Sequence, residues 1–158
     1  MFMNLIQKAR TLLSLDSNTF MMYVEAYCSL GVARIQKSLP FSKIAPKLGR
    51  KMEETSLTYV PAHAEILESV SKSLETMSRY TLWESKCLVM AIAGMRMLER
   101  RGIESTLYMA TARDKDGKMK AHAWLRSGLY FVTGAKGKEA YTVVGTFAKR
   151  MGEQKEEK

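Results

Sequence analysis

A cysteine and a histidine thirty-five positions apart carry the chemistry that this sequence suggests. Cys87 begins an apolar segment with helical character, and His122 lies in Ala-His-Ala-Trp on an alternating, strand-like segment. Thiol catalysis needs a thiolate, a base that can return its proton, and donors for an oxyanion. In the first turn of a helix, unpaired N–H groups and the helix dipole stabilise a thiolate. We therefore predict Cys87 as nucleophile and His122 as general base.

The oxyanion donors are expected from the same part of the chain. The backbone N–H of Cys87 would be unpaired at the helix start. The preceding turn, from Trp83 to Ser85, could add a second donor, and Ser85 is a suitable N-cap residue. We expect an oxyanion site formed by the Cys87 backbone and this turn.

The group that orients the histidine is less obvious, because no aspartate follows His122. A two-residue turn at residues 127–128 would place Thr133 directly opposite His122 on the same sheet face. Thr133, by its hydroxyl or its backbone carbonyl, is therefore the geometric candidate. Glu139 is the alternative, as the only acid between His122 and the charged tail. An ordinary strand or loop role stays open for both.

Two further residues of the same types are expected to be structural. Cys28 falls on an apolar stripe of a helix predicted for residues 17–39, which Pro40 would end, so it should be buried and unreactive. His63 lies near the apolar face of a helix predicted for residues 61–79, as a partly buried side chain. Two cysteines and two histidines provide no zinc-ligand spacing, so neither a metal nor another cofactor is expected.

The periodicity predicts an α+β fold. Residues 87–98 are apolar on nearly every side, which is typical of a central buried helix, and Gly102 follows as its stop. Alternating strands with short connections follow, which favours an antiparallel sheet. They are predicted at residues 105–112, 119–127, 129–133 and 141–147.

Composition excludes some classes of function. The net charge of +9 is scattered, and the basic group at residues 37–51 has no interleaved aromatic residues for base stacking, so nucleic acid is not expected as a partner. No apolar run approaches the roughly 20 residues of a membrane span. Without a signal peptide the cytoplasm is the expected location, and both cysteines are expected to be thiols.

Three segments carry a family resemblance. They are Trp-Glu-Ser-Lys-Cys-Leu-Val-Met-Ala-Ile-Ala from Trp83, Leu-Glu-Arg-Arg-Gly-Ile-Glu-Ser-Thr-Leu-Tyr from Leu98 and Ala-His-Ala-Trp-Leu from Ala121. Together they resemble lasso-peptide leader peptidases of the microcin-processing family, whose core is a transglutaminase-like, papain-like cysteine protease domain. The helical region ending in Leu-Pro-Phe at residues 39–41 is similar to the family's lead-in.

The resemblance implies an endopeptidase that removes the leader from a ribosomally made lasso precursor, before an ATP-dependent cyclase closes the macrolactam. The family's cysteine and histidine correspond to Cys87 and His122. Its usual aspartate has no counterpart in residues 129–134, which leaves the third role open and allows a dyad. The chain resembles the split form, which implies a separate small leader-binding protein as partner.

We expect residues 1–60 to be a helical lead-in packed on the core, residues 61–150 the peptidase core, and residues 151–158 a disordered charged tail. An amphipathic helix at the start of the lead-in is the expected docking area for the partner or leader. Two alternative functions stay open: acyl transfer to an amine by the same thioester chemistry, and a catalytically silent peptide-binding module.

Overall fold

A computed structural model describes Gln7 and residues 14–152. The N-terminal docking helix and most of the charged tail lie outside the described residues. Within residues 14–152 the chain forms four helices and five strands, with 3₁₀ turns between some of them, which confirms the α+β class. The helices are α1 (Ser17–Lys37), α2 (Phe41–Ile44), α3 (Ala64–Ser78) and α4 (Cys87–Glu99). None of the described helices is long and apolar enough to cross a membrane.

The strands form one antiparallel sheet in the order β1-β5-β2-β3-β4. They are β1 (Arg50–Lys51), β2 (Ser105–Arg113), β3 (Met119–Ser127), β4 (Tyr130–Thr133) and β5 (Thr142–Lys149). The four longer strands agree with the sequence prediction within about two residues at each end, as expected where alternation is strong. The short strand β1 is not among the strands that the sequence predicts.

One face of the sheet packs against α4, which is buried along most of its length. Gly94 allows this close contact, because a Cβ there would lie 2.8 Å from Leu125 Cδ2 and 3.1 Å from Leu74 Cδ1. Leu125 comes from β3 and Leu74 from α3, so both neighbours of α4 meet at this glycine. A single core therefore includes residues of α1, α3, α4 and the sheet.

Helix α1 buries a different face from the one that its sequence predicts. The buried residues are small or compact: Ala26, Ser29, Leu30 and Ala33. Cys28 is exposed, as are Phe20, Val24 and Ile35, which the apolar stripe predicts to be buried. Small side chains let helices approach closely, and here that advantage outweighs the burial of the longer apolar face. The prediction that Cys28 is buried is wrong.

The opposite face of the sheet is covered by the chain that follows β1. Arg126, only 3% exposed, donates to the carbonyl oxygens of Thr55 and Ser56 at 3.1 and 3.2 Å. It also bonds the hydroxyl of Tyr108 at 2.9 Å, and that hydroxyl donates to Glu54 at 2.6 Å. Burial and the bond to Glu54 raise the pKa of Tyr108. The arginine thus holds residues 54–56 on the sheet, with its charge balanced by Glu54.

Candidate active site

Cys87 is the first residue of α4, as the sequence predicts. The N-cap residue is Lys86, in an extended conformation and without a side-chain capping bond, so the prediction of Ser85 as N-cap is wrong. Among the described residues no hydrogen bond uses the Cys87 backbone N–H, which at this position has no intrahelical acceptor. The Cys87 side chain is half-buried against the main core. A partly accessible thiol therefore lies beside free backbone donors at a helix N-terminus.

A compact turn fixes the entry to α4. The Thr81 hydroxyl lies 3.0 Å from the Trp83 carbonyl oxygen and 2.9 Å from Ser85 Oγ, so the Ser85 side chain is used inside the turn. The Trp83 ring packs edge-on against Tyr27 of α1, with centroids 5.1 Å apart. This turn sets the position of Cys87 relative to α1.

An ion pair lies in the turn just before Cys87. Lys86 Nζ lies 2.6 Å from Glu84 Oε1, and this hydrogen bond lowers the pKa of Glu84, helped by the charges of Lys86, Lys37 and Arg34. The same contact raises the pKa of Lys86, and Cys87 adds to that effect. Three cations thus act on the single carboxylate of Glu84 in the turn that leads into α4.

His122 is held by a backbone carbonyl. Its Nε2 lies 2.8 Å from the Gly134 oxygen, and its ring lies against Tyr141 and Trp124 at centroid distances of 5.0 and 5.7 Å. A carbonyl oxygen can only accept, so Nε2 must carry the proton in this bond. The neutral ring then has Nδ1 unprotonated, which leaves Nδ1 as the nitrogen available to act as a base.

Gly134 can hold this position only because it is glycine. Its φ is +70°, and an added Cβ would lie 2.4 Å from the Ala123 oxygen and 2.9 Å from Trp124 Cβ. The chain leaving β4 therefore passes directly against β3, which brings the Gly134 carbonyl to His122. Sequence reasoning missed this acceptor, because residue types do not show main-chain oxygens. A glycine directly after a strand was the available signal of close backbone approach.

Neither predicted partner of His122 forms the expected contact. Thr133 pairs with Leu125, because the β3–β4 register shifts between Leu125 and Arg126, so the predicted pairing of Thr133 with His122 is wrong. The Thr133 hydroxyl is buried without a hydrogen-bond partner. Glu139 lies in an exposed 3₁₀ turn, and its carboxylate is 3.5 Å from Lys138 Nζ. The neighbour of Thr133 supplies the carbonyl instead.

Cys87 and His122 approach the sheet from different sides. Ala123 and Leu125 face α4 in the main core, whereas His122 lies on the alternate face with Trp124. A packing of α4 on the His122 face, which would bring the two side chains together, is not observed among the described residues. Among the described residues no hydrogen bond joins the Cys87 thiol to the His122 ring. The Cys87 thiol and the His122 ring are thus positioned by separate contacts.

The described residues contain no group of three His, Cys, Asp or Glu side chains that could hold a metal ion. Half-buried His63 lines a cavity of about 190 Å³ on the β3–β4 turn, together with Glu104 and Ser127. The cavity lies near the C-terminal end of α4, whereas Cys87 is at the other end. His63 therefore takes no part in the Cys87 site.

Comparison with known proteins gives one family. The family described as the transglutaminase-like superfamily matches residues 28–146, which is more than half of the chain. No curated protein and no solved structure matches the chain.

Proposed function

Because the chain belongs to the transglutaminase-like superfamily, we propose that it is a cysteine endopeptidase that removes the leader from a lasso-peptide precursor. The superfamily typically contains cysteine proteases and acyltransferases, so the family match supports thiol chemistry in general. The leader peptidase activity rests on the resemblance of the segments from Trp83, Leu98 and Ala121. The single observation that carries the proposal is the position of Cys87 as the first residue of the buried helix α4.

In the proposed reaction, Cys87 Sγ attacks the carbonyl carbon of the last leader residue. His122 Nδ1 takes the thiol proton and returns it to the departing amine of the core peptide. The oxyanion is stabilised by the Cys87 backbone N–H. Water then hydrolyses the thioester, which releases a free leader carboxylate and the thiol. The Gly134 carbonyl takes the orienting role, by holding Nε2–H.

This reaction requires a contact that the described structure does not contain. Nδ1 of His122 must come within about 3 Å of the Cys87 thiol or reach it through one water molecule. The proposal therefore includes a rearrangement, on peptide binding, that brings His122 and Cys87 together.

Two observations support functions other than leader cleavage. The superfamily match also fits transfer of the acyl group to an amine. The separation of Cys87 and His122 on the two faces favours a module that binds peptide without cleaving it. The three functions give different products: hydrolysis gives a leader carboxylate, acyl transfer gives a leader amide, and peptide binding gives no new product.

The test is incubation of a lasso precursor with this protein, with and without a candidate leader-binding partner, followed by mass spectrometry. After hydrolysis the masses of the two products sum to that of the precursor plus one water molecule, whereas after transfer they sum to that of the precursor plus the supplied amine. We expect hydrolysis, and faster hydrolysis when the partner is present. A leader amide as the main product, or an intact precursor with every partner supplied, would contradict the proposal.

A further inference from the structure

The outer edge of β5 is open over half of the strand. β1 pairs only with Phe147 and Ala148, and the Met52 N–H donates to the Thr146 oxygen at 2.8 Å. Thr142, Val143 and Gly145 pair with β2 on one side, and among the described residues no strand lies on the other side. Unpaired backbone groups on a strand edge are a template for another strand.

The path of the chain after β1 keeps this edge open. Met52 has a φ of 62°, the only positive φ of a described non-glycine residue, and there the chain turns away from β5. Beyond it, Arg126 holds the carbonyls of Thr55 and Ser56 on the sheet face. A left-handed conformation is unfavourable for a non-glycine residue, because its Cβ crowds the backbone. The strain at Met52 and the bonds at Arg126 thus both direct the chain off the edge.

The side chains at this edge suit a β-strand partner. Val143 and Val144 are 44% and 58% exposed, and Thr142 is also exposed. No charged side chain occurs in residues 142–148, so this edge has none of the charges that usually prevent strand pairing. Val144 is the extra residue of a bulge opposite Met109 and Ala110.

The open edge is aligned with His122. Across the sheet, His122 pairs with Ala110, which pairs with Val143. Two strand spacings, roughly 10 Å, therefore separate the edge from the His122 backbone. Between them, on the His122 face, the Tyr141 ring lies 5.0 Å from the imidazole. A strand added beside Val143 would therefore extend the cross-strand row of Val143, Ala110 and His122, the proposed base.

Charge indicates which peptide fits. Lys51 is exposed at one end of the open edge. At the other end the β2–β3 hairpin carries four cations against two aspartates in residues 113–120. Its lysines are Lys115, Lys118 and Lys120, of which Lys120 lies 3.8 Å from Asp114. Cations at both ends of an uncharged edge complement a peptide with acidic side chains.

We propose that residues 142–145 bind an acidic peptide segment in extended conformation, by adding it to the sheet as a strand antiparallel to β5. Main-chain hydrogen bonds provide the affinity, and the exposed valines and flanking lysines select alternating apolar and acidic residues. This inference deepens the proposed function, on which it rests, by naming the chemistry of the substrate segment that docks.

The experiment uses the full-length Cys87→Ala protein, labelled with ¹⁵N, so that binding is measured without cleavage. The probe is an eight-residue peptide of alternating valine and glutamate, blocked at both ends. We expect shift changes and slowed amide exchange at residues 142–145. A version with every backbone amide methylated should bind at least ten-fold more weakly, because it cannot donate to the edge. A version with lysine for glutamate should also bind at least ten-fold more weakly.

Two protein variants locate the site. Val144→Asp should weaken binding of the glutamate peptide at least ten-fold, whereas Leu129→Asp, at a 61% exposed residue on the opposite side of the sheet, should leave it unchanged. Equal binding of the methylated peptide, shift changes away from β5, or tight binding of the lysine peptide would overturn the proposal. The methylated peptide keeps the test valid if Val144→Asp does not fold. Loss of precursor cleavage alone would not overturn this proposal, because peptide binding at the β5 edge does not use the Cys87 thiol.

Discussion

The Gly134 carbonyl oxygen lies 2.8 Å from His122 Nε2, and this single bond sets the tautomer of the imidazole. A side chain usually has this role in cysteine and serine hydrolases, where a carboxylate or amide orients the base. A main-chain oxygen carries no formal charge, so it fixes the direction of the ring and stabilises an imidazolium less than a carboxylate would. The orienting element is thus the backbone path after β4.

Gly134→Ala should reduce activity by on the order of 100-fold, because a displacement of about 1 Å at an orienting group has an effect of that size. The added methyl would meet the Ala123 oxygen at 2.4 Å and push the carbonyl away from His122. Gly137→Ala is the matched control, since Gly137 has a similar φ of +78° and no neighbouring atom within 4 Å. The measurement is the rate of precursor cleavage. Equal losses in both variants would show that backbone strain alone is responsible.

Thr133→Val should stabilise the protein by about 1 kcal/mol, since it removes a buried hydroxyl that has no partner and keeps the shape of the side chain. Cleavage should continue at the wild-type rate, because the Thr133 side chain does not reach His122. Urea denaturation gives the free energy of unfolding. If cleavage falls ten-fold or more while stability rises, the Thr133 hydroxyl has an orienting role after all.

Arg126→Met should lower the free energy of unfolding by about 3 kcal/mol, because several buried acceptors lose their donor together. Residues 54–56 should then leave the sheet face, which limited proteolysis would detect as new cleavage there. Tyr108→Phe removes one hydroxyl of the same network and should cost only about 1 kcal/mol. Protection of residues 54–56 in Arg126→Met would show that other contacts hold them.

The ion pair between α1 and the end of α4 should make stability depend on pH. The Arg101 hydrogen bond lowers the pKa of Glu25 from its ordinary value near 4.5, and the two side chains meet at 2.6 Å. A carboxyl whose pKa is lower in the folded state stabilises the protein above its unfolded pKa and loses that contribution as pH falls through the folded pKa.

Glu25→Gln should therefore cost about 1 to 2 kcal/mol at neutral pH, and the difference from wild type should shrink as the pH falls below the ordinary glutamate value of 4.5 and through the lower pKa of the folded state. Denaturation curves at several pH values measure it. A constant difference down to the lowest pH would mean that the charge of Glu25 contributes nothing. Glu68→Gln, at an exposed residue of α3, is the control.

Sequence patterns predicted the elements of this fold better than the contacts between them. The apolar run after Cys87 and the alternation in β2 and β3 specify helix and strands directly. The register between β3 and β4 could not be predicted in this way, because the residue types do not reveal the register shift between Leu125 and Arg126. The buried face of α1 was not predicted, because Ala26 and Ala33 are only weakly hydrophobic. Their small size nevertheless allows close helix packing.

In the candidate site, too, sequence predicts the elements better than the contacts between them. Cys87 at a helix start and His122 on a strand are properties of single elements, and sequence predicts both. The face on which His122 lies depends on how the sheet is placed against α4, and its acceptor is a main-chain atom. Neither can be deduced from side-chain identity. The exposure of Cys28 follows from α1 packing in the same way, which makes this second thiol the natural control for Cys87.

The central claim is most directly tested by comparing precursor cleavage by the wild-type protein, Cys87→Ala and Cys28→Ala, with the leader-binding partner present and products measured by mass spectrometry. Circular dichroism should confirm that all three proteins are folded. The account predicts that Cys28→Ala cleaves at the wild-type rate and that Cys87→Ala produces no free leader. Cleavage by folded Cys87→Ala at the wild-type rate would contradict the assignment of Cys87 as the nucleophile.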